Sequence, residues 1–149
     1  MSERIDIAVI GSGPGGLSAA THAAELGVSH VLLESAPHLS NTIFRYQKGK
    51  HVMDEPGILP LRSPLPFKAG SREKILQEWQ DGVAALKVDL RFGHEVTRIT
   101  RDGEVFRIQC GHGAQFEARQ VVLGIGMQGN LRKLGVAGED LPTVQYQLD

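Results

Sequence analysis

Arg4-Ile-Asp-Ile-Ala-Val-Ile10, followed by Gly11-Ser12-Gly13-Pro14-Gly15-Gly16 and, one helix-length later, by Val31-Leu-Leu-Glu34, is the stretch that decides the fold. Ile7, Ala8, Val9 and Ile10 form an unbroken apolar run, the pattern of a strand covered on both faces. Gly11 permits a tight turn out of that strand. Gly13 has no Cβ, so a pyrophosphate can approach the backbone, and Gly16 lets the next helix pack closely on the sheet. Residues 17–26 are alanine-rich and apolar and run up to Gly27, as expected of a helix lying on a sheet. Phosphates would then meet free backbone N–H groups at the positive end of this helix. Glu34 stands 18 residues beyond Gly16, at the end of a second strand, where a carboxylate accepts hydrogen bonds from an adenosine ribose. Glycine-rich turns are common in a chain with 18 glycines. Strand, turn, helix, strand and carboxylate in this order are specific.

A length of 149 residues allows one well-buried core and suggests one domain. Sixteen basic against 17 acidic residues give a net charge of −1, which argues against broad attraction to nucleic acid or to an anionic membrane. No apolar run reaches membrane-spanning length, and the N-terminus enters a strand directly rather than through a signal peptide. Cys110 is the only cysteine, so these residues hold no internal disulfide, no CxxC redox pair and no cysteine metal cage. A soluble, cytoplasmic protein is the expectation. The six histidines show no metal-ligand spacing, and no Ser-His-Asp arrangement can be assembled from spacing. No catalytic acid, base or nucleophile is expected here.

Beyond Glu34 the periodicity lapses. Residues 35–70 show no sustained pattern, and Pro56, Pro60, Pro64 and Pro66 exclude a long helix, so a functional loop is expected. Ser71 reads as the N-cap of a helix whose stripe is Ile75, Trp79, Val83 and Leu86, which makes Trp79 a core residue. Short β-like segments follow at 88–92, 95–100, 104–110, 115–118 and 120–123, with turns at Arg101-Asp-Gly103 and Gly111-His-Gly113. Phe106, Ile108 and Cys110 share one strand face, so Cys110 reads as a small buried hydrophobe. The fold class is α/β: a Rossmann-like dinucleotide-binding domain with a parallel sheet and an antiparallel β-meander. Val121-Val-Leu-Gly124-Ile125-Gly126 is expected to return beside the first strand and end at the ligand edge, where Gly124 and Gly126 leave room for close approach.

In this order of motifs the chain resembles the first part of the flavin domain of the low-molecular-weight thioredoxin reductase family, FAD-dependent pyridine nucleotide-disulfide oxidoreductases with two dinucleotide sites. The fingerprint with Glu34, the meander, and Val121–Gly126 followed by Leu134-Gly-Val-Ala-Gly138-Glu all carry the likeness, and Val52-Met-Asp-Glu-Pro-Gly57 is similar to that family's Val-Glu-Asn-x-Pro-Gly. The resemblance implies FAD as the bound cofactor, with NAD(P)H as co-substrate of the full-length protein. It places the pyrophosphate on Gly11, Ser12, Gly13, Pro14, Gly15 and Gly16, and the ribose on Glu34 and Ser35. The adenine edge falls on the main chain of Val96, and Gly124, Ile125 and Gly126 stand for the family's Ala-Thr-Gly. Asp54 replaces the asparagine near the flavin.

The redox CxxC, the second GxGxxG and the closing Gly-Asp motif of that family are absent from these residues. Residues 1–149 are therefore expected to be the first segment of an FAD domain, part of a longer enzyme with a nicotinamide donor and an unidentified electron acceptor; monomer and homodimer stay open. Two alternatives stand beside this reading: a monooxygenase-type flavoprotein, which opens with the same fingerprint and needs no CxxC, and a non-catalytic dinucleotide-binding module.

Overall fold

The computed structural model describes residues 4–54, 60–127 and 132–146. Strand β1 (Arg4–Ile10) leads through the glycine turn into helix α1 (Pro14–Glu25) and then strand β2 (His30–Leu33). α1 starts three residues before the expected Leu17: Pro14, with its φ already helical, occupies the first turn, and the Gly13 carbonyl accepts from Leu17 N at 2.9 Å. The segment read as structureless contains helix α2 (Asn41–Phe44) and strands β3 (His51–Val52) and β4 (Gly70–Ser71), which pair antiparallel and close the proline-rich loop at its base. Helix α3 (Arg72–Ala85) begins as read, with Ser71 Oγ accepting from Lys74 N.

Strands β5 (Leu90–Arg91), β6 (Val96–Asp102), β7 (Val105–Cys110) and β8 (Gln115–Leu123) complete a six-stranded sheet of order β5-β2-β1-β8-β7-β6. β5, β2, β1 and β8 run parallel, while β7 is antiparallel to both β8 and β6. The two segments expected at 115–118 and 120–123 are one strand. Its first part pairs with β7 through Gln115–Ala118, and Glu117–Leu123 run alongside β1, so Arg119 lies inside one strand rather than between two.

Alternation along β1 and β2 builds two cores. Val9 and Leu32 face Leu17 and Ala20 of α1 and Ile75, Trp79 and Val83 of α3. Ala8, Ile10, Val31 and Leu33 face Ile108, Cys110, Phe116 and Ala118 of the meander. The parallel strands are thus buried on both faces, as their unbroken apolar sequence requires. β5 and β8 lie three strands apart, about 14 Å in a flat sheet. The Arg91 guanidinium spans this interval to lie 5.3 Å from the Phe116 ring centroid, on the face where Ile108, Cys110 and Phe116 of the meander pack with Val31 and Leu33. Trp79 is 3% exposed and donates Nε1–H to the Pro66 carbonyl at 3.0 Å, which satisfies the one polar atom of a core side chain.

Cys110 is buried, and burial pushes its thiol up from its ordinary value, leaving it protonated and poorly nucleophilic at neutral pH. Native protein is expected to react with a maleimide far more slowly than urea-unfolded protein, and Cys110→Ala to cost roughly 1–2 kcal/mol without touching ligand binding. Equal alkylation rates in the two states would refute the core assignment.

Candidate functional site: the glycine turn and Glu34

β1, α1 and the end of β8 meet at three glycines with no room for a side chain. A Cβ on Gly11 would stand 2.5 Å from the Gly124 oxygen, one on Gly16 1.8 Å from the Gly11 oxygen, and one on Gly124 2.9 Å from Gly16 Cα. Gly11 also takes φ +93°, and its amide donates to the Leu33 carbonyl at 2.8 Å, tying the turn to β2. The returning strand docks by Gly124 N donating to Ile10 O at 2.7 Å. Gly124 therefore holds strand against turn, a packing role beside the ligand-approach role its position suggested.

Gly13 and Gly15 differ from these. Added Cβ atoms would meet nothing nearer than the Gly124 oxygen at 4.0 Å for Gly13, and nothing within 4 Å for Gly15. Both glycines border open space at the start of α1. That helix has no side-chain N-cap bond and no acidic residue in its first turn, and Pro14 has no N–H. The amides of Gly15 and Gly16 precede the first residue bonded back to Gly13 and so have no partner within the helix. A positive helix end left uncapped and lined by glycine fits a bound pyrophosphate.

Glu34 lies just past the end of β2, 6% exposed, and both its oxygens are held. Oε2 accepts from Ser12 N at 2.9 Å and Ser12 Oγ at 2.5 Å. Oε1 accepts from Ala36 N at 2.8 Å and Ser35 Oγ at 3.2 Å. The Glu34 carbonyl accepts from His94 N at 2.9 Å, so the turn two residues before Val96 is fastened to the same point. Val96, the first residue of β6, is half-buried against the second core. Gly11 to Gly16, Glu34, Ser35 and Gly124 thus meet past the ends of β1, β2 and β8, whereas Val96 reaches this point only through His94, two residues earlier. Ile125, with its side chain exposed, and Gly126, at φ +66°, continue the chain onward from Gly124. Asp54 is exposed two residues beyond β3 and is not among the groups the turn gathers; residues 55–57 of its motif lie outside the described residues.

Ser40 belongs to this node and was missed in the sequence. Its amide donates to Ser12 Oγ at 3.0 Å, and it is buried with φ +48° at the start of α2. Its one sequence signal is a serine directly before the four helical residues Asn41–Phe44, too short a run for any periodicity to mark.

Fold and site define a dinucleotide-binding α/β domain. A family model of pyridine nucleotide-disulphide oxidoreductases matches residues 8–149, and the chain belongs to that family. It is 26% identical over 141 residues to a ferredoxin–NADP reductase of Ignicoccus hospitalis, covering 95% of this chain and 43% of that protein. It is 31% identical over 140 residues to a thioredoxin reductase of Helicobacter pylori, covering 91% and 39%. The solved structure of bacillithiol disulfide reductase from Staphylococcus aureus shares the fold, with a TM-score of 0.80 at 23% identity over 94% of this chain and 44% of that one. The chain spans about two fifths of the length of the curated relatives it matches.

Proposed function

We propose that this chain is the first segment of an FAD-binding domain, belonging to an NAD(P)H-dependent flavin oxidoreductase that passes hydride from nicotinamide to flavin and on to an acceptor. The observation that carries the reading is the uncapped, glycine-lined start of α1 facing open space beside Glu34. The two relatives matched by sequence above, both named as reductases, support it over the monooxygenase alternative. FAD, when bound, supplies the hydride-accepting ring. The residues here bind and orient. The amides of Gly15 and Gly16 and the α1 dipole take the pyrophosphate, Glu34 takes the adenosine ribose, and the main chain at Val96 borders the adenine. The Gly124–Gly126 backbone walls the edge toward which the rest of the cofactor extends. The chain's own groups supply no acid, base or nucleophile to the transfer. The same reading carries a cytoplasmic location and admits a homodimer.

Equilibrium titration with FAD, followed by flavin fluorescence, tests it. Wild-type protein is expected to bind FAD weakly and to lose it on extensive dialysis, because the rest of the cofactor extends past these residues, and Gly13→Val to show no binding while its circular dichroism is unchanged. A Cβ at Gly13 meets no protein atom closer than 4.0 Å, so the added methyls fill ligand space rather than the core. Equal FAD affinity for the two proteins would refute the site.

A further inference from the structure

We infer that Ser12 is a positioning residue for Glu34, and that the dinucleotide's ribose is read by a single oxygen of that carboxylate, Oε1; this rests on the dinucleotide reading above. The two oxygens of Glu34 sit in different surroundings. Oε2 is bound by the amide and the hydroxyl of Ser12, a residue with 0% exposure. The Ser12 hydroxyl has its one proton on Glu34 and accepts from the amide of Ser40, itself 1% exposed. Every hydrogen-bonding group of Ser12 named here serves the protein, and withdrawing the hydroxyl would strand a buried amide at Ser40. The side chain welds the fingerprint turn, the end of β2 and the start of α2 into one unit.

Oε1 is different. One of its donors is the fixed amide of Ala36, but the other is the hydroxyl of Ser35, an exposed residue, at 3.2 Å the longest of the four bonds. Ser35 Oγ is the donor a ligand hydroxyl displaces without breaking a main-chain bond or uncovering a buried side chain. Since Ala36 N keeps its place, Oε1 has one vacancy to offer, and one ribose hydroxyl fills it. Ser35 then holds the position of that hydroxyl while the ribose is elsewhere.

Calorimetric titration of the whole chain with ADP, 2′-deoxy-ADP and 3′-deoxy-ADP tests the assignment. Wild type is expected to bind one of the two deoxy analogues roughly tenfold to a hundredfold more weakly than ADP, and the other about as well as ADP. In Ser12→Ala the residue-12 amide still donates to Oε2 but the hydroxyl bond is lost, so the carboxylate is held less firmly, ADP affinity falls and the ratio between ADP and the discriminated analogue narrows to about half its wild-type value or less. Ser12→Thr, which keeps the hydroxyl, retains the wild-type ratio. Circular dichroism of each variant separates lost folding from lost reading, and if Ser12→Ala does not fold, the two wild-type analogue affinities decide. An unchanged ratio in folded Ser12→Ala, or equal loss with both analogues in wild type, would overturn the inference while leaving dinucleotide binding intact. Failure of wild type to bind ADP would overturn the dinucleotide reading itself.

Discussion

Gly16→Ala is expected to abolish cooperative folding or to remove about 3 kcal/mol or more of stability, a large share of what a domain of this size has. The Cβ it adds would lie 1.8 Å from the Gly11 carbonyl oxygen and 3.0 Å from its carbon. Neither atom belongs to a side chain that can rotate away. Relief requires lifting the start of α1 off the sheet, and with it Leu17 and Ala20, both fully buried against β1 and β2. Gly15→Ala, one residue earlier, is the control: its Cβ meets nothing within 4 Å, and alanine is the better helix former by up to about 1 kcal/mol. Urea unfolding followed by circular dichroism should show the Gly15→Ala midpoint unchanged or raised and the Gly16→Ala midpoint lowered by roughly 1–3 M. Coincident curves would mean that α1 does not approach the turn as described.

Much of this site is legible in the sequence, because it is built from features with a short-range signature. A turn with positive φ demands glycine at Gly11, close helix packing demands it at Gly16, and strands buried on both faces demand apolar runs. The return of β8 beside β1 follows from the same apolar pattern, and so does the core position of Trp79 from its helical stripe. What escaped is what depends on distant partners. The unbroken strand through Arg119 has no local signature, because a strand that pairs with β7 on one side and β1 on the other tolerates an exposed arginine in mid-course. α2 is four residues long and held by the Ser12–Ser40 bond and its contacts with α3, none of which has a local pattern. The two-residue strands β3 and β4 are fixed by each other across seventeen intervening residues. The sequence position of Gly124 points to ligand approach, whereas its tightest neighbours are Gly16 and Gly11. One residue can answer both demands, and sequence shows only that glycine is there.

Glu34→Gln is expected to weaken both the fold and the cofactor site, which a carboxylate standing free in solvent would not do. The four donors around Glu34 are two fixed main-chain amides and two hydroxyls, with Ser12 N at 2.9 Å on one oxygen and Ala36 N at 2.8 Å on the other. A carboxylate accepts on both sides; a glutamine amide cannot. Whichever way it lies, its NH2 group faces a backbone N–H whose hydrogen bond among the described residues is to Glu34, and the charge-assisted character of the remaining bonds is lost. That exchange costs about 1–3 kcal/mol of stability. The orientation that leaves the Ser12 side intact puts NH2 at Oε1, because Ser35 is exposed and its hydroxyl can turn to accept. The ribose then meets a donor where it met a negative acceptor, and FAD affinity should fall roughly tenfold to a hundredfold. The wild-type carboxylate also repels a 2′-phosphate, so NADP should bind this site more weakly than NAD. Urea unfolding gives the first quantity and calorimetric titration with FAD, NAD and NADP the second. Affinity lost with stability untouched would mean that the four protein hydrogen bonds do not hold Glu34 in the folded chain. Stability lost with FAD affinity untouched would make Glu34 a structural carboxylate and move ribose recognition elsewhere on the sheet edge.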